Sequence, residues 1–336
     1  MAVLEVRDLV KEYRRGVRAN DGISLAVSEG EFVGLLGHNG AGKTTLLDQV
    51  VGLAKPTSGS IHVAGRDAVA EPAFARAACA VMPQAQAPLS GITPRQAITT
   101  MARIRGADKS RARERTNHLL SALDIEAWAD TTGDRLSGGV RRLTAFGMAV
   151  VEPGRVVMLD EPTNDVDPVR RRLLWDYIRS LAGDGHAVLL VTHNVNEAER
   201  STDRLVILDA GHVVAEGTPA ELRARAEGEL RLELTAATPE SPLPQIETAG
   251  SPRRDGRRIT MPITADHAEE ALNRAQHLRA NGDIEEFALT PVSLEDVYVG
   301  LVGTGGSNGD ERAGGDGDGT PVSSGDEAEP AGSLVS

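Results

Sequence analysis

With 336 residues, 40% of them hydrophobic and 25% charged, the chain has the composition of an ordinary globular protein and can form one large domain plus a smaller one. The longest apolar run, residues 145–151, is far shorter than the roughly 18 residues that cross a bilayer, and no basic and apolar leader opens the chain, so we expect neither a membrane span nor secretion. The net charge of −13 disfavours general nucleic-acid binding, and the single cysteine, Cys79, excludes an internal disulfide and a cluster of thiolate ligands.

The first 220 residues alternate short β-branched runs with helical stretches, which is typical of an α/β domain with a largely parallel central sheet. Candidate strands cover residues 3–6, 32–36, 61–64, 156–159, 187–191, 205–208 and 213–216. Between residues 92 and 131 the strand signal disappears and helix-forming residues dominate, as in 110–123. The sequence therefore predicts a helical subdomain that interrupts the sheet.

A smaller α+β unit is expected after residue 220. Its predicted elements are a strand at 229–234, a stretch with four prolines at 236–252, a strand at 258–263, a helix at 265–280, a strand at 284–289 and a short helix with Ser293 as N-cap. We divide the chain into a domain at 1–220, with its helical subdomain at about 85–135, the unit at 221–302, and an acidic, glycine-rich tail at 303–336. The tail has almost nothing to bury, so we expect it to be disordered.

Eight consecutive residues fit the phosphate-loop pattern G-x-x-x-x-G-K-[ST], between a predicted strand and an apolar helix that begins near Thr45. They are Gly37, His38, Asn39, Gly40, Ala41, Gly42, Lys43 and Thr44. The glycines allow backbone N–H groups to converge on phosphate oxygens, and the helix N-terminus adds partial positive charge. Lys43 can neutralise the β- and γ-phosphates and the Thr44 hydroxyl can ligate Mg²⁺. The alternative, a chance glycine-rich turn, is disfavoured by this strand-to-helix context.

A second candidate element is the apolar strand at 156–159, which ends in Asp160 and Glu161. Ligands bind at the carboxyl ends of such strands. Asp160 can hold Mg²⁺ and Glu161 can polarise the attacking water as a general base. In isolation the two acids would equally fit a turn at a strand end; beside a phosphate loop they favour a hydrolytic site.

The segment Leu136-Ser137-Gly138-Gly139 lies shortly before that strand, and with the two preceding motifs it resembles the LSGG element of ATP-binding cassette (ABC) ATPases. An isolated S-G-G is typical of a flexible turn, but Ser137 precedes a predicted helix and the two glycines permit close approach to phosphate. The resemblance covers about residues 1–220. It implies a P-loop NTPase fold of the ABC type, with a mostly parallel central sheet, an antiparallel β subdomain and a helical subdomain. It also implies a head-to-tail homodimer, in which the LSGG element of one subunit covers ATP held on the partner's phosphate loop.

The same resemblance implies roles for further residues. Tyr13 matches the aromatic residue that stacks on adenine, Gln84 the Q-loop glutamine that touches Mg²⁺ and water, and His193 the switch histidine that contacts the γ-phosphate. Residues 164–167 match the D-loop at the dimer interface, where Asp167 would also begin the next helix. The implied ATP-binding set is Tyr13, residues 37–45 including Thr45, Ser137, Gly138 and Gly139. The implied catalytic set is Lys43, Gln84, Glu161 and His193, and the implied Mg²⁺ ligands are Thr44, Gln84 and Asp160.

Two positions depart from the family pattern. Val140 follows the LSGG element where the family usually has glutamine or another polar or longer residue, and the D-loop reads Asn-Asp-Val-Asp. Neither change removes a catalytic group. We expect them to alter the dimer interface and predict reduced turnover in a steady-state ATPase assay.

The segment at 290–298, Thr-Pro-Val-Ser-Leu-Glu-Asp-Val-Tyr, resembles the terminal segment of daunorubicin-type drug-resistance and antibiotic exporter ATPases. That resemblance implies an ATPase subunit that drives a separate type-2 membrane permease, exports a drug, antibiotic or lipid-like compound, and lies on the inner face of the cell membrane through its permease. It also implies that the unit at 221–302 supports dimerisation or regulation. The basic runs at 111–115 and 170–172 are interpreted as solvated helix faces, with no nucleic-acid partner. The alternative function is that of a non-transport ABC ATPase with a regulatory, repair or assembly role.

Overall fold

The structure, a computed structural model, describes residues 1–14, 16–85, 87–226, 228–240 and 242–303. Its strands are, in chain order, β1 (Ala2–Glu12), β2 (Arg18–Ser28), β3 (Phe32–Leu36), β4 (Ser58–Val63), β5 (Arg66–Asp67), β6 (Cys79–Met82), β7 (Val156–Asp160), β8 (Ala187–Thr192), β9 (Arg204–Asp209), β10 (His212–Gly217), β11 (Leu230–Ala236), β12 (Arg253–Asp255), β13 (Arg258–Ile263) and β14 (Ile284–Pro291). Its α-helices are α1 (Lys43–Val50), α2 (Pro72–Ala78), α3 (Pro94–Ile104), α4 (Lys109–Ala122), α5 (Gly138–Val150), α6 (Pro168–Gly183), α7 (Val195–Ser201), α8 (Pro219–Arg223), α9 (Ala268–Ala280) and α10 (Leu294–Gly303). Within the described ranges, no helix combines the length and apolarity needed to cross a membrane.

The central sheet has six strands in the order β10-β9-β3-β8-β7-β6. All neighbouring pairs run parallel except β10 with β9. Every residue of β3, β7 and β8 is buried, because alternate side chains enter separate apolar cores on the two faces of the sheet. The prediction of a largely parallel central sheet is therefore confirmed.

A second sheet, with the order β2-β1-β4-β5, is antiparallel and packs its apolar face over the central sheet. The sequence-based prediction omits the very short β5 and β12 and two longer strands, β2 and β6. In β2, glycine, asparagine and aspartate interrupt the β-branched pattern, although Ile23, Leu25 and Val27 alternate inward. The second is β6, which is only four residues long and follows an alanine-rich helix. β2 is stabilised by pairing with the adjacent β1, and β6 by pairing with the distant β7.

The predicted helical subdomain is confirmed: α3 and α4 pack on each other and on α5. Thr93 begins α3 with a capping box, in which its side chain and that of Gln96 each accept from the other residue's backbone N–H. Asp108 caps α4 by accepting from the Arg111 N–H at 2.9 Å. The subdomain thus joins the sheet through α5, whose first residues are the glycines of the LSGG element.

The C-terminal sheet has the order β12-β13-β11-β14 and is antiparallel throughout. One face of it packs against α9 through a small apolar core that includes Leu232, Leu234, Ile259 and Ala275. The predicted strands at 258–263 and 284–289 and the predicted helix at 265–280 coincide with β13, β14 and α9 preceded by a short 3₁₀ turn. The fold prediction of a small α+β unit is confirmed.

The last helix, α10, packs against the first domain and is also joined to that sheet by an ion pair between Asp296 and Arg231 of β11. Ser293 precedes it and its hydroxyl accepts from the Asp296 N–H, as predicted for an N-cap. Leu294 and Val297 of α10 are buried against α7 and α8 of the first domain, in a core that also contains Leu222. Gly303, placed in the predicted tail, is the last residue of α10, and the remainder of the predicted disordered tail, 304–336, lies outside the described residues.

Candidate functional site

The phosphate loop connects β3 to α1 at the carboxyl edge of the central sheet. Gly40 and Gly42 have φ angles of 92° and 100°, which a residue with a Cβ rarely adopts. A Cβ on Gly42 would lie 2.2 Å from the backbone oxygen of Ala19, so this position also requires glycine for lack of space. The loop is therefore held tightly against β2.

A buried amide pair, absent from the sequence-based predictions, holds this loop in place. Asn20 in β2 is fully buried and donates from Nδ2 to the Gly42 oxygen at 3.0 Å. Gln49 in α1 donates from Nε2 to Asn20 Oδ1 at 2.6 Å. The available sequence signal was an asparagine at an inward position of β2, recognisable only once that strand is known.

Lys43 is the first residue of α1 and is only 7% exposed. Its Nζ donates to the Gly37 oxygen at 2.5 Å and to the His38 oxygen at 2.9 Å. Burial lowers the pKa of Lys43, while the nearby carboxylates of Glu161 and Asp160 oppose that shift. Its ammonium thus lies within the loop, at the end facing the two acids.

Asp160 ends β7 directly opposite Thr44. The Thr44 hydroxyl donates to Asp160 Oδ2 at 3.3 Å, and Asp160 is 3% exposed. Burial raises the pKa of Asp160, an effect that the hydrogen bond from Thr44 partly offsets. A hydroxyl and a carboxylate oxygen at this separation are the hard donors that Mg²⁺ prefers, so the donor set fits such a cation.

Glu161 follows β7 with a left-handed backbone, φ 52°, and its side chain turns towards the end of β8. Oε2 accepts from the Thr192 hydroxyl at 3.0 Å, and Oε1 accepts from the His193 backbone N–H at 2.9 Å. Oε1 also lies 2.6 Å from His193 Nδ1. The carboxylate is thereby oriented by three polar groups, while 60% of the His193 side chain remains exposed. This geometry brings a fixed carboxylate and a solvent-facing imidazole together beside Lys43.

The LSGG element begins α5. Ser137 is the N-cap and its Oγ accepts from the Val140 N–H at 3.3 Å, while the Val140 side chain is buried. Gly138 and Gly139 lie against Asp165, and a Cβ on Gly139 would lie 2.6 Å from the Asp165 oxygen. Within the described residues, these contacts are all with the D-loop or α5 and none is with the phosphate loop of the same chain.

A cleft of about 180 Å³ lies between the LSGG glycines, the D-loop and Gln84. Gln84 is exposed and lines this cleft. The cleft therefore joins three of the elements that the sequence singled out, whereas Lys43, Asp160 and Glu161 form a separate cluster.

The D-loop leads into α6 as predicted. Asp167 caps this helix by accepting from the N–H groups of Val169 and Arg170, both at 3.1 Å. These hydrogen bonds, chiefly the one from Arg170, lower the pKa of Asp167. Asp165 has a positive φ of 64°, which turns the chain towards the LSGG glycines.

Tyr13 follows β1 and is 44% exposed, with the Lys11 ammonium 5.0 Å from its ring centre. Its backbone N–H donates to the Val17 oxygen at 2.8 Å, which closes the turn into β2. The residue is thus partly open to solvent, as stacking on a planar group requires. The role of Tyr13 stays a prediction.

Comparison with known proteins identifies related sequences. Residues 20–164 match the family model described as ABC transporter. The daunorubicin/doxorubicin resistance ATP-binding protein DrrA of Streptomyces peucetius is 32% identical over 305 residues, covering 89% of this chain and 92% of the relative. The doxorubicin resistance ATP-binding protein DrrA of Mycobacterium tuberculosis H37Rv is 35% identical, with 90% and 93% covered. The Nod factor export ATP-binding protein I of Paraburkholderia xenovorans is 33% identical, with 84% and 91% covered.

Solved structures show the same fold. An ATP-binding subunit of an ABC transporter superposes with a TM-score of 0.62 at 28% identity and covers 66% of this chain and 92% of its own. A dimeric bacterial ABC transporter cassette superposes with a TM-score of 0.59 at 25% identity and covers 64% of this chain and 98% of its own. The structural match therefore spans about two thirds of the chain, whereas the sequence relatives extend over most of it.

Proposed function

The chain belongs to the ABC transporter ATP-binding proteins, whose ATP hydrolysis drives transport, and we propose that it is the ATPase subunit of an exporter with a separate membrane permease. The observation that carries this proposal is the length of the similarity to relatives named for drug resistance and Nod factor export. It covers 84–90% of the chain, while the cassette structures cover 64–66%. The similarity to these named relatives thus continues well beyond the cassette itself. The proposed cargo is a drug, antibiotic or lipid-like compound.

In the proposed mechanism the residues at the carboxyl edge divide the work of hydrolysis. The phosphate loop and Lys43 bind the phosphates of ATP. Thr44 and Asp160 would hold Mg²⁺, which would supply charge neutralisation for the transferred phosphoryl group. Glu161 accepts a proton from the attacking water, oriented by its bonds to Thr192 and His193. The imidazole of His193 contacts the γ-phosphate. Gln84 would contact Mg²⁺ and the water.

The proposed active unit is a homodimer. In one chain, the LSGG glycines lie against the D-loop and away from the Lys43 cluster, so each nucleotide site needs the LSGG element of a second copy. Dimerisation of related cassettes supports this arrangement. Closing on ATP and reopening after hydrolysis would move the helical subdomain, where Ile104 is 71% exposed and available to a permease at the inner face of the membrane.

The proposal is tested with Glu161→Gln, which retains the shape of the side chain but cannot accept the proton. We expect the rate of ATP hydrolysis to fall by about 10²–10³-fold, with ATP binding retained and a stable dimer in light scattering with ATP and Mg²⁺. The matched control is Glu29→Gln, an exposed acid paired with Arg155. Normal hydrolysis by Glu161→Gln, or a monomer under all conditions, would contradict the assignment.

A further inference from the structure

Arg142 carries a buried guanidinium one turn into α5, and the residue as a whole is only 5% exposed. All five of its N–H donors are matched by five hydrogen bonds to backbone oxygens. Nε and Nη2 donate to the Glu161 oxygen at 3.0 and 2.7 Å, and Nη2 also donates to the Asp160 oxygen. Nη1 donates to the oxygens of Gln84 and Pro83 at 2.9 and 3.1 Å. One side chain therefore joins α5, the end of β7 and the Q-loop.

The chemistry of this contact is specific to arginine. Burial lowers the pKa of Arg142, an effect that the charges of Asp160 and Glu161 oppose, so the buried cation must be compensated by its acceptors. Only a planar fork with five donors can reach four carbonyls in two separate segments at once. Lysine has three donors and no fixed plane, and glutamine has two donors and no charge.

The most heavily bonded acceptor is the Glu161 oxygen, and Glu161 has a left-handed backbone with φ 52°. Non-glycine residues adopt this conformation only where the surroundings hold it. Two bonds to its carbonyl fix the peptide plane that follows Glu161. That backbone conformation in turn directs the carboxylate to Thr192 and His193.

We propose that Arg142 is a positioning residue for ATP hydrolysis, which holds the backbone of Glu161 and couples its orientation to the LSGG helix and the Q-loop. This inference rests on the proposed role of Glu161 as general base. A displacement of either the Q-loop or α5 changes the acceptors of the same guanidinium. The orientation of the Glu161 carboxylate then depends on the position of the helical subdomain.

Arg105, whose guanidinium lies at the amino end of β6, provides a matched control for Arg142. It also donates to backbone oxygens of separate segments: Ala77 and Cys79, both at 3.1 Å, and Glu152 at 2.5 Å. Burial lowers its pKa as well. Its acceptors lie at the end of α2, at the start of β6 and after the end of α5, away from the candidate site. Replacing Arg105 should therefore remove a similar set of hydrogen bonds to backbone oxygens without changing the position of Glu161.

The experiment compares Arg142→Gln, Arg142→Lys, Arg105→Gln and Glu161→Gln in the full chain, measuring kcat, ATP affinity and hydrogen exchange at the His193 amide. In Arg142→Gln we expect kcat to fall by about 10²-fold, with ATP affinity within about threefold of the original. The His193 amide, which donates to Glu161 Oε1, should exchange faster. Arg142→Lys should lose about tenfold in kcat, and Arg105→Gln less than about twofold.

Equal losses of kcat in the Arg142 and Arg105 variants would overturn the inference, as would unchanged His193 exchange in Arg142→Gln. If Arg142→Gln does not fold, Arg142→Lys decides, and an unchanged kcat there would also contradict it. The Glu161→Gln variant separates the two proposals. Lost hydrolysis in Glu161→Gln with normal hydrolysis in Arg142→Gln defeats only the role of Arg142, whereas normal hydrolysis in Glu161→Gln defeats the role of the general base.

Discussion

The carboxyl edge of the central sheet and the C-terminal sheet bury different kinds of side chain. Lys43, Arg142, Asp160 and Glu161 are all less than 10% exposed at the first, and each is satisfied by backbone or side-chain partners. Among the described residues of the C-terminal sheet and α9, the buried side chains are apolar. Burying a charge costs free energy that apolar packing does not. The first region is therefore organised around buried charged groups and the second around apolar packing.

The largest effect is expected at the buried cation of the carboxyl edge. Lys43→Ala removes the charge that faces the phosphates, and we expect ATP hydrolysis to fall by about 10³-fold. Steady-state release of phosphate measures the change. Lys55→Ala, at an exposed lysine, is the control and should retain the original rate. Normal ATP hydrolysis by Lys43→Ala would contradict a role in hydrolysis for the buried charges at the carboxyl edge.

In the C-terminal sheet the expected effect is on stability alone. Leu234 is 1% exposed in the apolar core, and Leu234→Ala should lower the free energy of unfolding of that unit by about 2–4 kcal/mol. Both tryptophans, Trp128 and Trp175, lie in the first domain, so unfolding of the unit should be followed by far-UV circular dichroism. Hydrolysis measured below the transition should stay within about twofold of the original. A large loss of activity would show that the unit supports the site.

A smaller effect concerns the stability cost of the buried acid. Burial raises the pKa of Asp160 above its ordinary value of 3.8, so the folded state holds this proton more tightly than the unfolded state. The free energy of unfolding therefore falls as pH rises from the unfolded pKa through the folded pKa, and the full cost is present above the folded pKa. Without nucleotide, Asp160→Asn should melt at a higher temperature than the original protein at pH 7.5, and the difference should shrink towards pH 4.

The control for that measurement is Asp130→Asn, whose side chain is 75% exposed. Its melting temperature should follow that of the original protein at every pH, apart from the loss of a surface ion pair with Arg95. If Asp160→Asn melts lower than the original protein at pH 7.5, the hydrogen bond from Thr44 outweighs the cost of burial, and the contrast between the two regions is weaker than the structure indicates.

The sequence predicted the central strands well because their physics is local. A buried parallel strand is a continuous apolar run, and the run at 32–36 coincides with β3. The carboxyl ends of such strands meet at one edge, which is why Lys43, Asp160, Glu161 and His193 were expected there and lie there. Their roles remain predictions.

The sequence could not predict features whose partners are distant. Arg142 follows Arg141 in a helix, a pattern that usually indicates a solvated face, and its acceptors are 18 to 59 residues away. Those acceptors are backbone oxygens, which leave no trace in the sequence. Similarly, β6 is a strand because it pairs with β7, and α10 was assigned to the C-terminal unit because its docking partner lies far upstream.

The return of α10 to the first domain has a mechanical consequence. The C-terminal sheet is attached to that domain by the chain entering β11 and by α10. Glu295 of α10 accepts a hydrogen bond from Asn196 Nδ2 of α7 at 3.4 Å. Because the C-terminal unit is held at both of its ends, its hinge motion relative to the first domain is restricted. Proteolytic cleavage within residues 242–252 should therefore leave two fragments that migrate together until denaturant separates them.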